Sequence, residues 1–94
     1  MRYIDVEWIQ DSEDYPNRLV SEIADDNFET RKLEFFANGS VGYASEKGST
    51  KDTELGICEV PSLEEINSQD EFSGQSITSD EFEKMWQKYV HGIA

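Results

Sequence analysis

Bases are scarce in this chain. Eight lysines and arginines face 21 aspartates and glutamates, for a formal net charge of −13 at pH 7. Such a charge repels nucleic acid and anionic lipid at long range, which argues against direct binding of either. Cysteine is scarcer still. Cys58 stands alone, so no intramolecular disulfide can form, and a reducing compartment is the natural setting. With one cysteine and one histidine, the ligand sets that zinc requires are missing. The six glycines are scattered singly, so no phosphate-cradling loop is present. No apolar run approaches the ~20 residues that cross a bilayer, and the opening MRYIDVEWIQ is strand-like, without a signal-peptide core. The expectation is a cytoplasmic protein without cofactor or metal.

Catalytic candidates are correspondingly thin. His91 lies three residues from the C-terminal Ala94, and chain ends seldom hold the geometry that a nucleophile–histidine pair needs. Cys58 sits in the apolar run LGICEV, where a cysteine is expected to behave as a small core hydrophobe. Asp11, Glu13 and Asp14 are close in sequence but lack calcium-loop spacing, so solvation is the better reading. Paired carboxylates carry no weight in a chain with so many acids. The residues point to no enzyme.

What is present is pattern. Eleven aromatics supply large surfaces for a core, and 94 residues suffice for one small domain, 1–94. Ile4, Val6 and Trp8 alternate with Asp5 and Glu7, the period of a half-buried strand. After the polar loop DSEDYPN (11–17), RLVSEIAD (18–25) reads as a second strand, with Leu19 and Ile23 on one face and Val20 and Ala24 on the other. Asp26-Asn27 turns the chain into FETRKLEFFA (28–37), a third strand. Asn38-Gly39 then marks a tight hairpin in which both residues accept positive φ, returning through SVGYASE (40–46). That hairpin also explains the sequon Asn38-Gly39-Ser40 as a turn. Gly42 leaves one face of the returning strand flat, for a helix to approach closely or for a bulge. The polar stretch 46–54 reads as a mobile loop, and LGICEV (55–60) as a short fifth strand.

From Pro61 the period becomes helical. Ser62 with Glu65, and Thr78 with Glu81, fit two capping boxes, and the first helix is expected to end near Asn67. At the second start, Ile77 and Phe82 form a hydrophobic staple. Phe82, Met85, Trp86 and Tyr89 fall on one stripe, while Asp80, Glu81, Lys84 and Lys88 suit the helix dipole. Strands first and helices last indicate an α+β fold: an antiparallel β-meander of four to five strands, with one short and one longer C-terminal helix on one face. The other face would be partly open, with Tyr3, Ile9, Val20 and Phe36 as candidates for it. Trp8 and Trp86 lie on stripes that suggest the core.

The acids then become the main functional feature. Residues 59–83, EVPSLEEINSQDEFSGQSITSDEFE, carry eight carboxylates and no lysine or arginine. Caps and dipole account for Glu65, Asp80 and Glu81. Glu59, Glu64, Asp70 and Glu71 have no such local reason. In the 11–17 loop, Tyr15 is flanked by Asp11, Glu13 and Asp14, and is expected to contact a basic surface. These eight residues are the expected partner-binding set.

Several stretches together carry a resemblance: MRYIDVEWI, YPNRLVSEI, ETRKLEFFANGSVGYA, LEEINSQDEF and ITSDEFEKMW. The chain resembles, over nearly its whole length, a family of small, mostly uncharacterised bacterial domains, which are similar to immunity proteins of toxin systems, including contact-dependent growth inhibition. That resemblance implies a non-catalytic inhibitor of a cognate toxin, a nuclease with a basic groove being the fitting target. It implies no catalytic residue. A monomer or weak dimer is expected. The competing readings are a nucleic-acid mimic that antagonises a host defence system, and a small accessory subunit of an enzyme.

Overall fold

A computed structural model describes residues 1–50 and 53–91, at residue 91 the backbone alone. Six strands, among the described residues, form one antiparallel sheet: β1 (Arg2–Trp8), β2 (Arg18–Ile23), β3 (Glu29–Phe35), β4 (Val41–Ser45), β5 (Gly48–Ser49) and β6 (Phe72–Ser76), in the order β5-β4-β3-β2-β1-β6. The first four make the expected meander, and β5, within the stretch expected to be a loop, extends it. β6 follows helix α1 (Leu63–Asn67) and returns to the free side of β1. Helix α2 (Ser79–Trp86) continues through a π-helical turn, Gln87–His91. The α+β class is as expected, with more strands than the sequence suggested.

Both faces of the sheet are covered, so the expected open face is corrected. Register places Ile4 opposite Ser21, Val6 opposite Leu19 and Gly74, and Trp8 opposite Phe72. That face packs Ile4, Val6 and Ile23 against Ile66 of α1, with Val60, Leu63 and Phe72 at the margin. Val20 and Leu33 occupy the other face beneath Phe82 and Trp86 of α2, with Tyr3, Phe35 and Tyr43 around them. Tyr3 and Val20, expected on an open face, therefore lie under α2. β2 is buried from Val20 through Ile23, as a central strand must be when both its faces are covered.

Local chemistry explains most boundaries. Thr78 and Glu81 form the full reciprocal capping box, Thr78 Oγ1 accepting from the Glu81 N–H at 3.1 Å. Ser62 supplies only half of one, accepting from the Glu65 N–H at 3.2 Å. The β2–β3 turn uses Asn27 at φ +70°, a conformation asparagine tolerates. At the β3–β4 hairpin only Gly39 takes positive φ, +89°. The Gly39 N–H reaches the Phe36 carbonyl and the Phe36 N–H the Ser40 carbonyl, so the loop has three residues with a bulge at glycine. Asn38 caps it instead, its Oδ1 accepting from the Ser40 N–H at 2.9 Å.

Gly42 has neither a helix above it nor a bulge. A Cβ there would overlap the hydroxyl of Thr53, which is buried and donates to Glu34 Oε1 at 3.0 Å. The polar 46–54 stretch thus contains β5 and a buried anchor, while residues 51–52 fall outside those described. LGICEV is not a strand. It runs as an exposed strap held where the Gly56 N–H meets Glu29 Oε1 at 2.8 Å and the Val60 N–H meets the Asn27 carbonyl at 2.7 Å.

Candidate functional site: one acidic end of the sheet

Three connections meet at one end of the sheet: the 9–17 loop, the β3–β4 turn at 36–40, and the 68–71 turn from α1 into β6. None of them contains a lysine or arginine. Asp11, Glu13, Asp14, Asp70 and Glu71 are all exposed there. A backbone bond from the Ile9 N–H to the Glu71 carbonyl, 2.7 Å, ties the first connection to the third. Two acidic stretches that the sequence keeps 55 or more residues apart are thereby brought to one end.

The 9–17 loop is built rather than slack. Gln10 Nε2 donates to the Tyr15 and Pro16 carbonyls at 3.1 and 3.3 Å, while its Oε1 accepts from the Ser12 N–H at 2.6 Å. Pro16 is buried, and the Asn17 N–H bonds the Phe35 carbonyl at 2.8 Å. These clamps place the Tyr15 ring 5.8 Å from Trp8, leaving Tyr15 57% exposed. Ile9 is exposed close by.

Not every candidate joins this end. Glu59 lies at the opposite end, because the next residue, Val60, bonds to Asn27 of the β2–β3 turn. Glu64 is exposed on the first turn of α1. Four acids singled out from the 59–83 stretch therefore split, and only Asp70 and Glu71 share a surface with the 11–15 group.

Two further expectations change. Cys58 is exposed and not a core residue, since the strap that carries it lies outside the packed layers. Ile57 beside it is 92% exposed. The side chain of His91 lies outside the described residues. Trp86 is core, as expected, whereas Trp8 is half-buried between Tyr15 and Phe72. Among the described residues, no group of three or more His, Cys, Asp or Glu is arranged to hold a metal ion. Nor is any described helix long and apolar enough to cross a membrane.

Sequence reasoning missed the most perturbed titratable group. Glu22 on β2 is only 7% exposed, under α2. Arg31 forks onto it through Nε at 2.9 Å and Nη2 at 2.6 Å, and also pairs with Glu83 of α2. Thr30 Oγ1 donates to the same carboxylate at 2.7 Å. The Arg31 hydrogen bonds lead in holding the Glu22 carboxyl down at about 2, against the opposing cost of burial. Every strong partner in this network is internal, which marks it as structural. A signal was available: SEI in a strand buried on both faces needs a base, and Arg31 lies directly opposite Glu22 in the register.

Comparison with curated proteins and with solved structures gives no match. A family comparison does, over residues 2–91, and so nearly the entire sheet-and-helix unit is covered. The chain belongs to the family described as Domain of unknown function (DUF6881).

Proposed function

We propose that this protein is a non-catalytic binding module whose acidic end occupies a basic surface on a protein partner, in the manner of an immunity protein that neutralises a cognate toxin. The observation that carries this reading is the base-free end of the sheet, which Asp11, Glu13, Asp14, Asp70 and Glu71 share with the half-exposed Tyr15. A net charge of −13 steers a basic partner toward the protein at long range, and the clamped loop presents an aromatic anchor at low entropic cost. Tight inhibitory interfaces bury roughly 1,600 Å² in total, an area that one end and an adjoining face of such a domain supplies. A nuclease with a basic substrate groove is the fitting toxin class, since the same field that repels nucleic acid attracts the groove. Action on such a target places the protein in the cytoplasm.

Coexpression is the test. Cells producing a toxin domain encoded beside this gene are expected to survive when this protein is coproduced, and not when an unrelated toxin is used. Failure to protect against the adjacent toxin removes the immunity reading. Specific retention of a restriction or CRISPR component would replace it with nucleic-acid mimicry.

A further inference from the structure

Two of the protein's own arginines show how this fold holds a cation. Arg31 places its guanidinium carbon 4.9 Å from the Phe82 ring centroid and 5.1 Å from that of Trp86, forked onto Glu22 with Glu83 beside it. Arg18 lies 4.9 Å over Phe35 and forks onto Asp5 at 2.9 and 2.7 Å. Each site pairs aromatic faces with a carboxylate. A third set of the same groups stands at the acidic end, in a groove of about 640 Å³ lined by Trp8, Tyr15, Phe36, Asp14 and Glu34. No base is found among the described residues that line it.

We propose that this groove receives an arginine side chain from the protein partner. Aromatic faces carry negative charge density and attract a cation, at about 0.5–1 kcal/mol where exposed and more where water is excluded. Carboxylates on the same walls add to that attraction and turn away anions. Guanidinium suits the site better than ammonium, because it is planar, weakly hydrated, and able to stack and fork at once. The walls are also set in advance. Gln10 holds the Tyr15 segment, and Thr53 holds Glu34 through its hydroxyl at 3.0 Å. This assignment rests on the acidic-end reading above and narrows it to one anchoring residue type.

The probe is a tetra-arginine peptide, with tetra-citrulline as its neutral, nearly isosteric control, titrated into the intact protein under NMR observation. Trp8 Nε1 is shielded from solvent and has no hydrogen-bond partner among the described residues, so its indole resonance reports on new contacts in the groove. Arginine peptide is expected to move that resonance, and citrulline peptide is not. Tyr15→Ala combined with Asp14→Asn, both exposed positions, is expected to weaken the response about tenfold, which corresponds to about 1.4 kcal/mol. An unmoved indole resonance while backbone amides at Asp70 and Glu71 shift would overturn the groove, as would an equal response to citrulline. Toxin protection that survives the double variant would remove the arginine anchor and leave the acidic-end function standing. Loss of protection alongside an intact arginine response in the unaltered protein would do the reverse.

Discussion

Arg31 and Glu22 meet beneath α2, where neither can reach water freely, and their cost and worth depend on each other. Removing one charge leaves the other buried and unpaired, which typically costs 3–5 kcal/mol, or roughly that scale here. Arg31→Met is therefore expected to lower the free energy of unfolding by about that amount in urea denaturation, the Met retaining much of the packing on Phe82 and Trp86. The same pair sets an acid limit. The Glu22 carboxyl titrates at about 2 when folded against an ordinary 4.5, so its contribution is complete above pH 4.5 and is lost as pH falls from there toward 2. A thermal melt series over that range should fall more steeply for the native protein than for Glu22→Gln. Parallel slopes would show that other carboxylates govern acid unfolding.

Strand edges pose a separate problem, because their unpaired backbone groups invite a further strand. In β6 the outward groups of Gly74 are taken by a side chain. The Gly74 N–H donates to Asn67 Oδ1 at 2.6 Å, and Asn67 Nδ2 donates to the Gly74 carbonyl at 3.0 Å. The carboxamide at the end of α1 stands in for a neighbouring strand. Thr50 acts likewise at Tyr43 on β4, accepting from its N–H through Oγ1 at 3.0 Å and bonding its carbonyl through the backbone N–H at 2.9 Å. Asn67→Ala is expected to expose the β6 edge and give concentration-dependent association in sedimentation velocity, and a strictly monomeric variant would show the edge is guarded otherwise. These elements also show what the sequence could tell. β1 through β4 were legible because alternation and turn residues agree, and α2 because cap, staple and stripe coincide. FSGQS was not legible as a strand, since its only large apolar residue is Phe72 and its pairing depends on β1 lying open beside it. LGICEV misled for the opposite reason: it has strand composition, but it is tied to Glu29 and to the Asn27 turn and not to a strand edge, so Ile57 and Cys58 are left outside.

At the scale of the whole molecule, the acids sort by where the fold delivers them. Composition alone showed that acids dominate, and the loop 11–15 was visible as an acidic group around Tyr15. That Asp70 and Glu71 join it, while Glu59 faces the other end, depends on β6 pairing with β1 and could not be read from spacing. The nature of the groove beside Tyr15 was equally hidden, because Trp8 comes from β1 while Glu34 and Phe36 come from β3 and the turn after it, and β1 and β3 are not neighbours in the sheet. The central claim is that this end, rather than the overall charge, contacts a basic partner. Its most direct test is the salt dependence of Kd for a basic protein partner recovered with this protein, measured for two sets of charge-neutralising substitutions. Exposed pairs are screened over a Debye length of about 8 Å at physiological salt. Neutralising Asp11, Glu13, Asp14, Asp70 and Glu71 to their amides should weaken binding and flatten its salt dependence, while Glu59→Gln with Glu64→Gln should leave both nearly unchanged. Equal losses per charge removed in the two sets would contradict the account, for they would mean that total charge, and not this end of the sheet, carries the interaction.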